Sequence, residues 1–479
     1  MMKPSIKFGT DGWRDRMDED FTIENVAVVA QGIADYLNKV KPGQIRIAVG
    51  YDTRRNSKEF ANEVCRVLIG NGIKCYLSNA DVPTPVITYS IVHLKLDGAV
   101  MLTASHNPAI YHGIKFIPEY AAPAMPDVTN KITTEVYRIL ESGGINKNND
   151  LESAKEENML EIFSPKEPYV DHVLKIVNLE GLKEKKIKIA FDPVYGTGRE
   201  YLPSILKKLN TEVITLHNKL DPNFGGFGSP NPSEKNLSEL SNIVKEKRLD
   251  IGLACDGDSD RSAAINEKGE FVSANQIFAM LLKYLLDRGK KGGVVRTVST
   301  THLIDRIAQA YKIPFYEVAV GSKYVGEHMR TKDILMGGEE SGGLMFKEHI
   351  PEKDGIYTDI KILEMMLYYD LPFSKIYKNL TNEFGEIYTK LLNFECEDEL
   401  KPKVMSKIKE ILPNEILGKK IVQRIELDGF KFVLDDGSWL LIRPSGTEPL
   451  LRCSAEAKNP MDLENILNEG VKLLETAKK

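Results

Sequence analysis

The sequence predicts an α/β protein in which three related units precede a smaller α+β domain, and three observations carry this. The 479 residues exceed one hydrophobic core and, at roughly 150 residues per domain, suggest about three domains. A strand, a polar or glycine-containing loop, a helix and a second strand recur in that order three times, the mark of helices layered on sheets. From Asn382 the character changes, which raises the expected count to four.

In the first repeat, Gln44–Asn79, Ile45 to Val49 form an apolar strand. Phe60, Val64, Val67 and Leu68 follow at helical spacing, and a strand returns at Lys74 to Leu77. The charged stretch from Asn146 to Pro168 reads as a linker. The second repeat runs from Lys186 to Asn218 around Gly196 and Gly198. A division is expected near Gly269, ahead of an apolar-patterned helix at Gln276 to Leu286, and the third repeat spans Gly292 to Val320. The tail shows helical charge runs, a hairpin through Phe430 to Ile442 turning at Asp435–Gly437, and a last helix from about Asp462.

Composition excludes several classes. Lys plus Arg number 64 against 69 Asp plus Glu, a formal charge of −5, so there is no cationic excess to hold a nucleic acid. Five dispersed cysteines without a C-x-x-C pair fit neither a disulfide scaffold nor a thiolate zinc site, and suggest a reducing compartment. The N-terminal stretch is charged and has no apolar run of signal-peptide length. Gly98 to Ile114 lacks Asp, Glu, Lys and Arg but is too short and polar to span a bilayer. A cytoplasmic protein with no membrane partner is expected.

The strongest metal signal is CDGDSDR, Cys255 to Arg261, after the apolar run Leu249 to Ala254. Asp256, Asp258 and Asp260 alternate, so an extended segment turns their carboxylates to one side, where they can share a hard cation such as Mg²⁺. A calcium loop would match Asp256, Asp258, Asp260 and Glu267, but it requires glycine where Arg261 stands and a helix where a strand precedes. A solvated acidic turn is the plainer alternative. In LTASHNPAIYHGIKF, Leu102 to Phe116, Ser105 is expected at a strand exit with its hydroxyl open to a ligand. His106 or Lys115 could handle its proton or steady a phosphoryl group. The same residue types also build ordinary turns. G-x-S-x-G is absent, and no acid is spaced to orient His106.

GGEESGG, Gly337 to Gly343, offers carboxylates and Ser341 to sugar hydroxyls. In RPSGTEPLLR, the side chains of Arg443, Ser445, Thr447 and Arg452 with the amide of Gly446 could cradle a phosphate. GTDGWR, Gly9 to Arg14, adds a glycine loop ending in a cation, and either of the longer loops could equally be a surface turn. No P-loop, no G-x-G-x-x-G and no H-E-x-x-H occurs. A serine, a metal loop, a polyol-compatible loop and an anion cradle on separate units suit a phosphorylated sugar.

With GTDGWR, TASHNP, DGDSDR, GEESGG and RPSGTEP in this order, the chain resembles the α-D-phosphohexomutases over nearly its whole length. That resemblance implies three related mixed-sheet α/β domains and a C-terminal phosphate-binding α+β domain around a central cleft, divided at 1–145, 146–268, 269–380 and 381–479. It implies that Ser105 is phosphorylated, and that its phosphate oxygen holds one Mg²⁺ with Asp256, Asp258 and Asp260. Arg14 and Lys115 would flank the transferring phosphoryl group, Lys115 as general acid/base, and Arg261 would help position it. Glu339 and Ser341 would read sugar hydroxyls, Lys323 would be a further substrate contact, and Arg443, Ser445, Gly446, Thr447 and Arg452 would clamp the non-reacting phosphate. The implied reaction converts hexose 1-phosphate to hexose 6-phosphate through hexose 1,6-bisphosphate, which is also the activator.

Glucose phosphate is the favoured sugar. Dual glucose and mannose use follows, and glucosamine phosphates are a further alternative. Gly343 departs from the histidine common in several relatives. A sugar phosphatase and a non-catalytic sugar-phosphate-binding protein are the rival functions, and a homodimer through the first domain is the expected assembly.

Overall fold

Apolar strands buried on both faces need helices on either side, and the chain builds its first three sheets this way. The computed structural model describes residues 6, 8, 12–148, 150–446 and 448–478. Across the first sheet the strands run Trp13–Arg16, Tyr111–Pro118, Gly98–Leu102, Arg46–Tyr51, Lys74–Ser78 and Leu160–Phe163. The last four are parallel neighbours and the first two are antiparallel additions, so the sheet is mixed.

The second sheet orders Phe271–Val272, Ser262–Asn266, Ile251–Cys255, Ile189–Asp192 and Val213–Thr215, and the third orders Phe315–Val318, Gly293–Thr297, Ile334–Gly338 and Leu344–Phe346. Both are again parallel at the centre with antiparallel strands at one edge. The fourth sheet is antiparallel, in the order Tyr388–Glu395, Leu450–Ala457, Trp439–Pro444, Phe430–Leu434, Lys419–Ile425 and Glu415–Ile416. The helix Pro460–Lys478 packs on it.

One device recurs in all four. An inner strand leaves its sheet, makes a short loop and returns antiparallel to itself. The loops formed this way carry Ser105, the three aspartates, GEESGG and RPSG.

Two local expectations change. The stretch read as a linker holds a helix, Leu151–Glu156, and the strand Leu160–Phe163 at the edge of the first sheet. Its charge reads as solvated coil, but much of it lies on the helix and the turn after it, while the edge strand carries only Glu161, whose charge discourages further pairing. The division expected near Gly269 falls at a hairpin: Gly269 is its positive-φ turn, and Phe271–Val272 pairs back onto Ser262–Asn266 just before the helix Ala274–Asp287. After Asn382 the expected helical charge run is found at Lys401–Glu410, but an extended strand, Tyr388–Glu395, comes before it and follows a helix running through Phe384.

One apolar core runs through the first three domains, joining Ile87, Tyr169, Ile205, Phe278 and Ile356, beside smaller clusters of the second and third and a second large core of the first around Val26, Ile47 and Val64. The fourth domain keeps its own core, and a small apolar patch of Val298 with Val433, Trp439 and Leu441 joins it to the third. Beside that patch, buried Lys431 donates through Nζ to Val298 O and Glu317 Oε1, each at 2.7 Å, and lies over the Trp439 ring. Glu317 also accepts from Arg296 Nη1 at 2.6 Å. No helix among the described residues is long and apolar enough to cross a membrane.

Glu317→Ala would leave two buried cations without their shared carboxylate. A loss of about 3 kcal/mol is expected, measured by chemical denaturation, with the fourth domain loosened first in hydrogen exchange.

Candidate active site

Ser105 follows the strand Gly98–Leu102 in a left-handed conformation, φ +51°, which is costly for a residue with a Cβ. Local bonds hold it there. Its amide donates to Thr103 Oγ1 at 2.8 Å, and buried Arg54 donates to the carbonyls of Ser105, Asn107, Pro108 and Tyr111 at 2.6–2.9 Å. Asp52 pairs with that guanidinium at 3.1 Å, both side chains being fully buried. The serine loop is therefore wrapped around one arginine.

The hydroxyl expected to be open to a ligand is 1% exposed. Asp256 and His106 cover it: Ser105 Oγ donates to Asp256 Oδ2 at 3.1 Å and lies 3.4 Å from His106 Nδ1. Burial, with Arg261, Arg14 and Lys353 nearby, holds the His106 imidazole well below its usual range, so it is neutral at pH 7.

Asp256, Asp258 and Asp260 are fully buried and bring one carboxylate oxygen each within 4.8 Å of the others. Asp256 Oδ1 accepts from the amides of Asp260 and Arg261, which closes the loop on itself. Burial and the two neighbouring aspartates raise its carboxyl well above the usual range. Burial acts the same way on Asp258, but Lys115, the Thr84 hydroxyl and Lys353 outweigh it and hold that carboxyl below the usual range. Lys115 Nζ lies 2.9 Å from Asp258 Oδ2 and 3.4 Å from Asp260 Oδ2.

Asp258 Oδ1 and Asp260 Oδ1 are buried with no hydrogen-bond partner. Two orphaned carboxylate oxygens beside a third carboxylate and a serine hydroxyl fit a hard divalent cation with oxygen ligands.

Neighbouring domains clasp the aspartate loop. Thr84 of the first donates its amide to Asp258 O. From the third, the Gly355 amide donates to Ser259 O, and Gly342 O accepts from the Ser262 amide. Gly342 needs its φ of +98°, and a Cβ there would overlap Ser262 O.

A side chain at Gly343 would overlap the methylenes of Lys353, whose Nζ lies 2.9 Å from Asp260 Oδ2. The lysine thus fills the space that the glycine leaves. The histidine missing at 343 is legible in the sequence; Lys353, in the segment EKDG, carries no such signal.

A cleft of about 890 Å³ opens in front of these groups. Arg14, Arg261, Lys323, Glu339, Ser341, Arg443, Ser445, Gly446 and Arg452 all line it, together with His106, Lys353 and Asp428. Ser105, Lys115 and the aspartates are not in its lining, but Ser105, Asp256 and Asp260 touch His106, Arg261 and Lys353, which are. Arg14 Nη1 donates to Asn107 Oδ1 at 2.7 Å, and Glu340 accepts from Thr297 Oγ1 at 3.0 Å. Lys401 Nζ donates to the carbonyls of Ser445 and Glu448 and so fixes the far loop. Thr447 and Gly9–Asp11 lie outside the described residues.

Four domains closing on one cleft from separate sheets define a multidomain α/β enzyme that gathers its site from the whole chain. Models of the phosphoglucomutase/phosphomannomutase family match all four parts: α/β/α domain I at residues 5–142, domain II at 167–269, domain III at 273–384 and the C-terminal domain at 391–472. The chain belongs to this family, the α-D-phosphohexomutases, whose members are phosphotransferase enzymes.

It is 30% identical over 473 residues to a phosphoglucomutase/phosphomannomutase of Thermococcus kodakarensis, covering 98% of this chain and 99% of the relative. It is 29% identical to a phosphoglucosamine mutase of Methanocaldococcus jannaschii, over 90% of this chain and 92% of the relative. The crystal structure of a putative phosphomannomutase from Thermus thermophilus superposes with a TM-score of 0.86 at 26% identity, covering 99% of this chain and all of the other.

Gly343→Ala should displace Lys353 from Asp260 and lower turnover about tenfold or more while the fold melts near the parental temperature. Steady-state kinetics beside a thermal melt checks this, and unchanged kinetics would refute the packing argument.

Proposed function

We propose that the chain interconverts hexose 1-phosphate and hexose 6-phosphate, with glucose phosphate as the preferred sugar, through phosphorylated Ser105 and a bound hexose 1,6-bisphosphate. The observation that carries this is the placement of Ser105 Oγ against the aspartate triad behind a cleft whose far wall carries Arg443 and Arg452. A group is transferred at one end while an anion is gripped at the other. Phospho-Ser105, Asp256, Asp258 and Asp260 would hold one Mg²⁺, which supplies charge stabilisation to the transferring phosphoryl group.

The chain's own groups do the remaining work. As the phosphoryl group leaves Ser105 Oγ for a sugar hydroxyl, the serine–phosphorus bond breaks and the sugar–phosphorus bond forms. The hydroxyl proton passes to the serine oxygen by way of Lys115. Arg14, Arg261 and Lys353 spread positive charge around the moving group. Glu339 and Ser341 read hydroxyls, and Lys323 with the Arg443–Arg452 loop holds the resting phosphate. The second transfer reverses these steps after the bisphosphate turns. A fourth domain with its own core is free to close over the cleft and keep water from phosphoserine.

Glucosamine phosphate is a second reading. It is supported by the names of relatives such as the Methanocaldococcus jannaschii enzyme and by the carboxylates Glu339, Glu340 and Asp428 in the cleft, which suit an ammonium group.

A mutase assay primed with hexose bisphosphate, run on glucose, mannose and glucosamine 1-phosphates, tests the reading. Isomerisation is expected, fastest with glucose 1-phosphate and abolished by chelation of divalent cations. Steady release of inorganic phosphate would instead mean a phosphatase, and binding without turnover a silent receptor. Intact-mass analysis should find one phosphate per chain, lost in Ser105→Ala; a phosphate retained in that variant places the carrier elsewhere.

A further inference from the structure

Arg443 and Arg452 are register partners on antiparallel strands, which sets two like charges side by side, a destabilising arrangement unless an anion sits between or beside them. Each has such an anion from within the chain. Asp428 Oδ2 lies 3.6 Å from Arg443 Nη1, and Glu448 Oε2 accepts from Arg452 Nη2 at 2.6 Å. Both carboxylates line the cleft.

Asp428 stands just before the strand Phe430–Leu434 and also accepts from the backbone amide of Val320 in the third domain, so it joins the clamp to the facing wall. Burial raises its carboxyl, against the pull of Arg443, and Glu340 adds to the rise. Arg452 Nε is buried without a hydrogen-bond partner, so this arginine keeps a donor to spare.

We propose that Asp428 and Glu448 are built-in anions that pair with the two clamp arginines whenever phosphate is absent, and thereby loosen the grip so that the bisphosphate can release and turn. This rests on the mutase reading above. Two arginines facing a partly buried phosphate make charge-assisted, forked hydrogen bonds, which are strong and slow to break. A clamp of that strength suits a binding protein, but here the bound anion must let go in each cycle. With carboxylates in reach, each guanidinium exchanges one anion for another as phosphate departs, so no cation is left bare at the moment of release. The carboxylates repel phosphate rather than touch it and act through the arginines, as positioning residues.

Titration calorimetry of the full chain with inorganic phosphate tests this without any turnover. Asp428→Asn keeps the side-chain shape and an acceptor for the Val320 amide, and Glu448→Gln changes a more exposed pair. Phosphate should bind about two- to fivefold more tightly in each variant, and in steady-state kinetics KM and kcat for hexose phosphate should fall together.

Unchanged or weaker phosphate binding in either folded variant overturns the proposal. So does tighter binding with an undiminished kcat. If Asp428→Asn does not fold, Glu448→Gln decides by the same criteria. Parental protein that binds phosphate but isomerises no sugar would refute the mutase reading instead, a result the titration does not depend on.

Discussion

Three carboxylates held within 4.8 Å and shut away from water repel one another, and the rest of the site is arranged around offsetting that repulsion. The loop's own Arg261 stays 3.8–3.9 Å away. The close cations come from elsewhere: Lys115 from the first domain and Lys353 from the third, each at 2.9 Å. An acidic loop in the second domain is therefore neutralised by its neighbours, and this couples the integrity of the site to the packing of three domains. Their shared apolar core serves the same end, because cations placed this closely tolerate little relative movement. The fourth domain, which supplies no group to the triad, has no buried residue in that shared core and keeps its own.

The second constraint is conformational. A serine at φ +51° holds its hydroxyl toward the triad only while the loop resists relaxing. Four carbonyls bound to one buried guanidinium provide that resistance, since Arg54 cannot leave without breaking all four bonds together. Gly113 shows the same economy of space: a Cβ there would crowd Thr103 O and the Arg14 side chain, so glycine lets two neighbouring strands bring Arg14 beside the serine loop.

What the sequence made legible follows from this. Ser105, the three aspartates, GEESGG and the Arg443 loop are each a dense run of chemistry following an apolar run, and a central strand ending in such a run has few other uses. Arg54, Thr84, Lys353 and Asp428 could not be found that way. Each is a polar residue in an ordinary-looking loop or helix end, and its role arises from a contact with a distant part of the chain or from a space that another residue vacates. Gly343 was the one available hint, since a missing side chain in a crowded loop implies that something else occupies its place. The misread linker has the opposite cause. Leu160–Phe163 is four residues long with exposed Glu161 in it, and so brief an edge strand leaves no periodicity to read.

The two ends of the cleft differ in how their charge is compensated, and the difference suits what each must do. At the triad, cations meet carboxylates in a place closed to solvent, where the pairing is strong and the geometry fixed, as a transfer step demands. At the clamp, Arg443 and Arg452 meet carboxylates that are a quarter to a third exposed, where water screens the pairing and exchange is easy. A ligand held at both ends by the first kind of contact would never turn around. On the mutase reading proposed above, fixing the transfer end and loosening the holding end, on a domain with its own core, is a division of labour that would let one site act in turn on two positions of the same sugar.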